Sequence, residues 1–304
     1  MFGKRGCRAS IGLLIVTLTV GSLPGVTWPQ TDAAGTDPTG EPAVVTKQAI
    51  TYRETEGETL RLDACLPSQR ESSLAAVVLV HGGGWTGGRR DAGQWEALCE
   101  DLAATGYAAF TVDYRLAPDA PFPAAFNDVQ AAVEWLRDPD QVDRFGIDPD
   151  RIGILGGSAG GNLAGLVGTD GDGNLTDGAR VRTVVSLSGP MDLREAAIGS
   201  ATRQQVGTAL TFLGCDTIDD CPSSNPASPI TSVDPTDPPF LLIHAEDDPV
   251  VPVEQSVVMG EALDGAGVLN DVVTVLGTAH ATRLLDDPGS MEIVLMFLHD
   301  NLAN

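Results

Sequence analysis

Histidine is scarce in this chain, with four in 304 residues: His81, His244, His280 and His299. None lies near a cysteine in the sequence and no C-x-x-C pair occurs, so the common structural zinc arrangements are excluded. No G-x-x-x-x-G-K-[ST] run is present, which removes a P-loop nucleotide site. Basic residues are also few: 18 Lys and Arg against 42 Asp and Glu, a net charge of −24. A surface of that sign repels phosphate backbones and anionic lipid, so neither nucleic acid nor a membrane surface is an expected partner. The charge reads as a solubility device suited to saline or extracellular surroundings. No cofactor and no metal are expected.

Long apolar runs are missing too, apart from residues 11–23, which follow Lys4, Arg5 and Arg8. A positive start and an apolar stretch too short for a bilayer span describe an export signal over residues 1–30, with no clean cleavage site. An uncleaved N-terminal anchor is the alternative. Cys7 precedes the apolar run and is not placed as a lipoprotein anchor. Residues 31–43, rich in Thr, Asp, Gly and Pro, read as a disordered linker to one domain over 44–304. The expected product is extracellular and free of the membrane once the signal is removed.

Export leaves an even count of cysteines: Cys65, Cys99, Cys215 and Cys221. Four cysteines allow three pairings. A polar five-residue loop separates Cys215 from Cys221 and a local bridge can close it, leaving Cys65 with Cys99 by elimination. Four unpaired thiols are the competing reading. Asp170-Gly171-Asp172-Gly173-Asn174 starts like a calcium loop, but Leu175 and Val181 stand where that loop needs Gly and Glu. It reads as an acidic turn.

Residues 46–55 and 59–66 alternate apolar with polar, as an antiparallel hairpin does. Residues 75–80, 107–112, 152–155, 181–187, 240–244 and 272–276 read as further strands. Helical patterning covers 95–104, ended by Gly106, then 126–136, 162–167, 259–263 and 291–302. Strands alternating with helices predict an α/β fold: a mostly parallel sheet covered on both faces, with antiparallel strands at its N-terminal side. Residues 191–239 break the alternation and read as a small insertion able to cover or shape a site at the carboxyl ends of the strands.

That end of the sheet collects the chemistry. Gly156-Gly157-Ser158-Ala159-Gly160 stands between a strand and a helix, the setting in which G-x-S-x-G forms a nucleophile elbow. Upstream, His81-Gly82-Gly83-Gly84-Trp85 ends an apolar strand and leaves backbone N–H groups bare, as an oxyanion hole requires. The N–H groups of Gly83, Gly84 and Ala159 are the expected donors. A serine nucleophile needs a base and the base an orienting carboxylate. His280 comes last, on a short loop after a strand, and satisfies the order Ser, Asp, His. His81, His244 and His299 sit in the glycine run, at a strand end and within a helix. Asp248 is the favoured acid because Asp248-Pro249 and the following Val-Val-Pro make a rigid turn. Asp247 is the runner-up, ahead of Glu246. Asp113 and Arg115 read as structural partners beneath the site, and Trp85 equally as pocket wall or plain core.

With these residues in view, the chain resembles the α/β-hydrolases of the hormone-sensitive-lipase-like and BD-FAE-like esterase group. The likeness rests on His81 to Trp85, Asp113-Tyr114-Arg115-Leu116-Ala117-Pro118, Phe122-Pro123-Ala124, Gly156 to Gly161, Asp248-Pro249 and His280, and spans residues 45–303. It implies a Ser158, Asp248, His280 triad and hydrolysis of small-molecule esters with short to medium acyl chains through an acyl-serine. Polysaccharide deacetylation, feruloyl ester cleavage, arylformamide hydrolysis and a silent binding fold are the alternatives. Many relatives carry Asp where this chain has Gly157. With a leader and linker ahead of residue 46, no full N-terminal cap is expected and the pocket should be open.

Overall fold

The computed structural model describes residues 44–69, 73–194 and 203–303. The expected signal over 1–30, Cys7 and the linker over 31–43 lie outside the described residues. The alternating N-terminal segments form β1 (Val44–Thr55) and β2 (Glu58–Pro67), antiparallel and closed by a turn with Gly57 at φ 92°. Six more strands complete one sheet: β3 (Leu74–Val80), β4 (Ala108–Val112), β5 (Ile147–Gly157), β6 (Thr183–Leu187), β7 (Phe240–Ala245) and β8 (Asn270–Val275). Their order is β1-β2-β4-β3-β5-β6-β7-β8, and every pair from β4 onward along the sheet is parallel. The sequence expectation of an α/β sheet with antiparallel N-terminal strands is therefore met.

Every residue of β3, β4, β6 and β7 is buried, because helices cover both faces and leave no polar side. Successive side chains divide between the faces. Ala76, Val78 and Val80 of β3 meet Val129, Val133 and Leu136 of α2 (Ala124–Arg137), Leu163 of α4 (Ala159–Gly168), and Met259 and Leu263 of the helix Glu254–Ala266. Val77 and Leu79 point oppositely, into a layer with Trp95, Leu98 and Leu102 of α1 (Gly93–Ala104) and Val294, Leu298 and Leu302 of the C-terminal helix Pro288–Leu302. Gly106, at φ 102°, follows the end of α1 as expected.

Several elements differ from expectation: the helix Glu254–Ala266 begins at Glu254 rather than Met259, the insertion holds a helix over Arg203–Leu213, and two more differences lie around β5. β5 begins at Ile147 rather than Ile152, because Ile147 pairs with Leu74 while residues 148–151 bulge out before Ala76 pairs with Ile152. The polar Asp148-Pro149-Asp150-Arg151 conceals that strand in the sequence, and the bulge is held by the Arg151–Asp148 ion pair at 2.9 Å. The short α3 (Pro139–Phe145) was not expected. Its signal is at its ends: the Asp138 carboxylate accepts the Asp140 N–H, Pro139 opens the helix and Gly146 ends it at φ 64°.

The structure joins Cys65 of β2 to Cys99 of α1, and Cys215 to Cys221 in the insertion between β6 and β7. Cys65–Cys99 closes a chain separation of 34 residues and Cys215–Cys221 one of 6. Loop-closure entropy ranks the former bridge higher, at about 4 kcal/mol against about 2. The paired replacement Cys65→Ala/Cys99→Ala is thus expected to lower the denaturant midpoint more than Cys215→Ala/Cys221→Ala. Equal midpoints in a urea titration would contradict that ranking.

Candidate active site

The elbow is built by close approach. β5 runs straight into α4, and Ser158 at the junction adopts φ 56°, ψ −122°, a backbone region that non-glycine residues rarely occupy. The Ser158 N–H donates to the Leu187 carbonyl at 2.8 Å, tying the turn to β6. A Cβ on Gly156 would stand 2.0 Å from the Gly160 carbonyl oxygen, and one on Gly160 would stand 2.0 Å from that of Val80. Nothing larger than glycine fits at either position. Ser158 is thereby lifted clear at the carboxyl end of the sheet.

The glycine run packs directly on this turn. A Cβ on Gly82 would lie 2.9 Å from the Gly157 carbonyl oxygen and 3.2 Å from Ser158 Cβ. Gly83 and Gly84 take φ values of 122° and 60°, and the loop folds so tightly that a Cβ on Gly83 would meet the Gly87 carbonyl at 2.2 Å. Among the described residues, no hydrogen bond takes up the N–H of Gly83, Gly84 or Ala159. All three residues line one cavity with Ser158. His81 is withdrawn from this chemistry. It is buried, its ring stacks on Tyr114 at 4.3 Å, and its Nδ1 meets the Gly82 carbonyl at 2.8 Å. Burial lowers its pKa and keeps it neutral. His299 is exposed on the C-terminal helix.

The loops after β7 and β8 carry the remaining pair. His280 Nδ1 donates to Asp248 Oδ2 at 2.8 Å. Asp248 Oδ1 accepts the N–H of Val250 at 2.8 Å and of Val251 at 3.1 Å, so the Asp-Pro turn folds around its own carboxylate. Asp247 and Glu246 instead use their backbone N–H groups on the Gly277 and Val275 carbonyls. Burial opposes the Asp248 charge, but hydrogen bonds from His244, His280 and the Val250 N–H outweigh it and hold the acid well below the usual carboxylate range. A carboxyl depressed in the fold stabilises it above its unfolded pKa of about 3.9 and loses that contribution as pH falls through the folded value. Asp248→Asn is accordingly expected to flatten the acid limb of a Tm-against-pH curve, and an unchanged limb would count against it.

The turn bearing His280 also touches the elbow, since a Cβ on Gly157 would lie 3.1 Å from Ala281 Cβ. Among the described residues no hydrogen bond joins Ser158 to His280; the ring is held from its Asp248 side, and its side chain is 20% exposed. Contacts of this kind often tighten only with substrate in place.

The cavity, ≈ 600 Å³, is walled by Gly83 to Thr86 of the glycine loop, by Pro190, Asp192 and Leu193 after β6, and by Pro249 to Pro252. Its further wall is the insertion helix Arg203–Leu213, through Gln204, Gln205, Thr208 and Ala209. The insertion thus shapes the site, as its position suggested. Gln205 donates its amide to the carbonyls of Pro249 and Val250, joining two walls. Trp85 serves both readings given to it, lining the cavity and stacking on Phe212 at 4.4 Å. Asp113 and Arg115 have separate partners: Asp113 pairs with Arg90 at 2.7 Å and Arg115 with Asp128 at 2.8 Å. The sequence reading missed Gln255, whose Oε1 accepts the N–H groups of Met191 and Asp192 at 2.7 Å each and pins the cavity wall. Nothing in a lone glutamine after Val-Pro-Val-Glu marks it. It also passed over His244, buried with its Nε2 3.5 Å from Asp248 Oδ2. The i, i+4 spacing of His244 and Asp248 is visible in the sequence, yet a strand-end histidine carries no signature by itself.

No group of three or more His, Cys, Asp or Glu arranged for a metal occurs among the described residues. The acidic turn at 170–174 instead receives Arg180, which donates to the Asp170 carbonyl at 3.0 Å.

Comparison with known proteins places the chain among esterases of this fold. The esterase LipC of Mycobacterium tuberculosis is 35% identical over 221 residues, covering 69% of this chain, which spans about half (53%) of that relative's length. The ethyl acetate hydrolase of Pseudomonas putida is 30% identical over 257 residues, covering 79% of this chain and 76% of its own. A truncated carbohydrate esterase from gut microbiota superposes with a TM-score of 0.72 at 26% identity, over 86% of this chain and 97% of that one. The BD-FAE family model matches residues 62–263, from β2 through the acid turn into the helix beyond it, and the chain belongs to this family of the α/β-hydrolase fold.

Proposed function

We propose that this chain is a secreted serine carboxylesterase that hydrolyses short- to medium-chain esters through an acyl-serine intermediate. The observation that carries the reading is Ser158, held at φ 56° on the cavity wall beside three uncommitted N–H groups. Ser158 Oγ attacks the ester carbonyl while His280 Nε2 takes its proton. The oxyanion forms against the N–H groups of Gly83, Gly84 and Ala159, donors worth about 2.7–4 kcal/mol each in the transition state. His280 then protonates the leaving alcohol, and water repeats the sequence to free the acid. Asp248 keeps Nδ1 protonated, so that Nε2 is the basic nitrogen.

Secretion is supported by the charged, apolar N-terminus and by two disulfides. No helix among the described residues is long and apolar enough to cross a membrane. A preference for small acyl groups is supported by the ethyl acetate hydrolase relative. Acetylated carbohydrate is the second reading, favoured by the polar Gln204, Gln205 and Asp192 in the wall and by the carbohydrate esterase neighbour.

The test is a chain-length series of p-nitrophenyl esters, from acetate to palmitate, on residues 31–304. Turnover is expected to peak at acetate or butyrate and to vanish at palmitate. Folded protein inactive on every length defeats the carboxylesterase reading. Release of acetate from acetylated xylan, with p-nitrophenyl esters poorly used, would select the second reading.

A further inference from the structure

One buried titratable side chain beside the acid has no part in the reaction just described. His244 is the penultimate residue of β7 and is fully buried. Its Nε2 lies 2.9 Å from the Val251 carbonyl, which can only accept, so Nε2 carries a proton. Its Nδ1 lies 2.7 Å from Ser256 Oγ and accepts a hydrogen bond from that hydroxyl. The Nε2–H also lies 3.5 Å from Asp248 Oδ2, the oxygen that accepts from His280. The acid is therefore approached by four N–H groups: two backbone amides on Oδ1, and the His280 and His244 imidazoles on Oδ2.

This arrangement answers a mechanical need. Asp248 belongs to a surface turn in which Glu246, Asp247, Pro249 and Val250 are exposed and Val251 is buried, so the carboxylate is located from beneath and from the Val251 end of the turn. His244 supplies a fixed point within the sheet. It grips the turn at its far end through the Val251 carbonyl and at its near end through Asp248. Ser256 fixes the ring in turn from the first turns of the helix Glu254–Ala266, where the neighbouring Gln255 holds the cavity wall at Met191 and Asp192.

We propose that His244 is a positioning residue for hydrolysis, holding the Asp248 carboxylate in register with His280 through the Ser256–His244–Asp248 chain. The role rests on the triad reading above and extends it by one link. Its failure is distinguishable: active Ser158→Ala would remove the triad, whereas inactive Ser158→Ala with unaltered His244 variants would remove only this link.

The experiment compares His244→Leu, His244→Gln and Ser256→Ala with the unmodified chain on p-nitrophenyl acetate, each first shown folded by near-UV circular dichroism. Leucine fills the site without a donor and is expected to cost about 10–100-fold in kcat, the scale set by small misplacements of a catalytic group. KM should change less than kcat, because Val251 is the one cavity-lining residue that loses its His244 partner. Glutamine keeps an N–H near the Nε2 position and should restore most of the loss. The downfield proton of the His280–Asp248 hydrogen bond should broaden in the leucine variant and sharpen again with glutamine. A folded His244→Leu with unchanged kcat, or one no worse than His244→Gln, overturns the proposal. If leucine prevents folding, Ser256→Ala decides, since it keeps the imidazole and removes only the hydroxyl that fixes its orientation. Unchanged kcat and an unchanged downfield proton there overturn it equally.

Discussion

Ser158→Ala is expected to lower kcat on p-nitrophenyl acetate by about a millionfold and to leave the fold intact. The size follows from the proposed mechanism, in which Ser158, His280 and Asp248 act as one unit, so that losing the serine forfeits nearly all that the unit contributes, on the order of 10⁶. Residual turnover should remain about 10³–10⁴ above water, because cavity and oxyanion donors survive. Stability should rise slightly or hold. Ser158 sits at φ 56°, a region in which alanine is no better placed than serine, and its side chain makes no hydrogen bond that the fold requires. A fluorophosphonate should add its mass to Ser158 of the unmodified chain and not to the variant. A folded variant that keeps more than about 1% of kcat would exclude Ser158 as nucleophile, since no other route supplies that rate.

Gly160→Ala should be nearly as damaging to activity without altering any reacting group. The added methyl would lie 2.0 Å from the Val80 carbonyl oxygen and 2.6 Å from that of His81, both backbone atoms of β3 and the oxyanion loop. A flexible side chain could swing aside; a central strand cannot. The strand and α4 must separate, at a cost of about 4 kcal/mol or more, beyond the about 1–3 typical of overpacked side chains. That separation also displaces Ala159 and the glycine run. The control is Gly265→Ala in the helix Glu254–Ala266, where a Cβ meets nothing within 4 Å. It should stabilise by about 0.5–1 kcal/mol through helix propensity alone. Melting both variants in parallel decides the matter, and equal melting temperatures would refute the packing argument.

Much of the candidate site is legible along the chain because its parts are local. Gly156 to Gly160 encode one turn, and every glycine in it that faces a backbone is required by contacts within a few residues or with the adjacent strand. His81 to Trp85 encode one loop, and Asp248 with Pro249 one turn whose amides close on the carboxylate. The α/β order of the fold was equally readable, since strands buried on both faces must be apolar throughout and helices between them must show a 3.6-residue period. What remained hidden has two causes. The bulged start of β5 carries polar residues at its surface, so its strand character appears only when Leu74 lies beside Ile147.

The second cause is distance along the chain. Residue type and spacing alone mark the Gly156 to Gly160 turn, the glycine loop and the order of Ser158, Asp248 and His280 along the chain. Only the tertiary structure decided where each histidine makes its contacts: His81 stacked and buried, His280 on the Asp248 carboxylate, His244 on the Val251 carbonyl beside that carboxylate. It likewise decided that the insertion helix Arg203–Leu213 walls the cavity and that Gln205 ties it to the acid turn. A hydrogen bond between residues 32 or 44 positions apart leaves no periodic trace in a sequence. It exists because parallel strands deliver their carboxyl ends to one edge of the sheet, where loops from β3, β5, β7 and β8 meet.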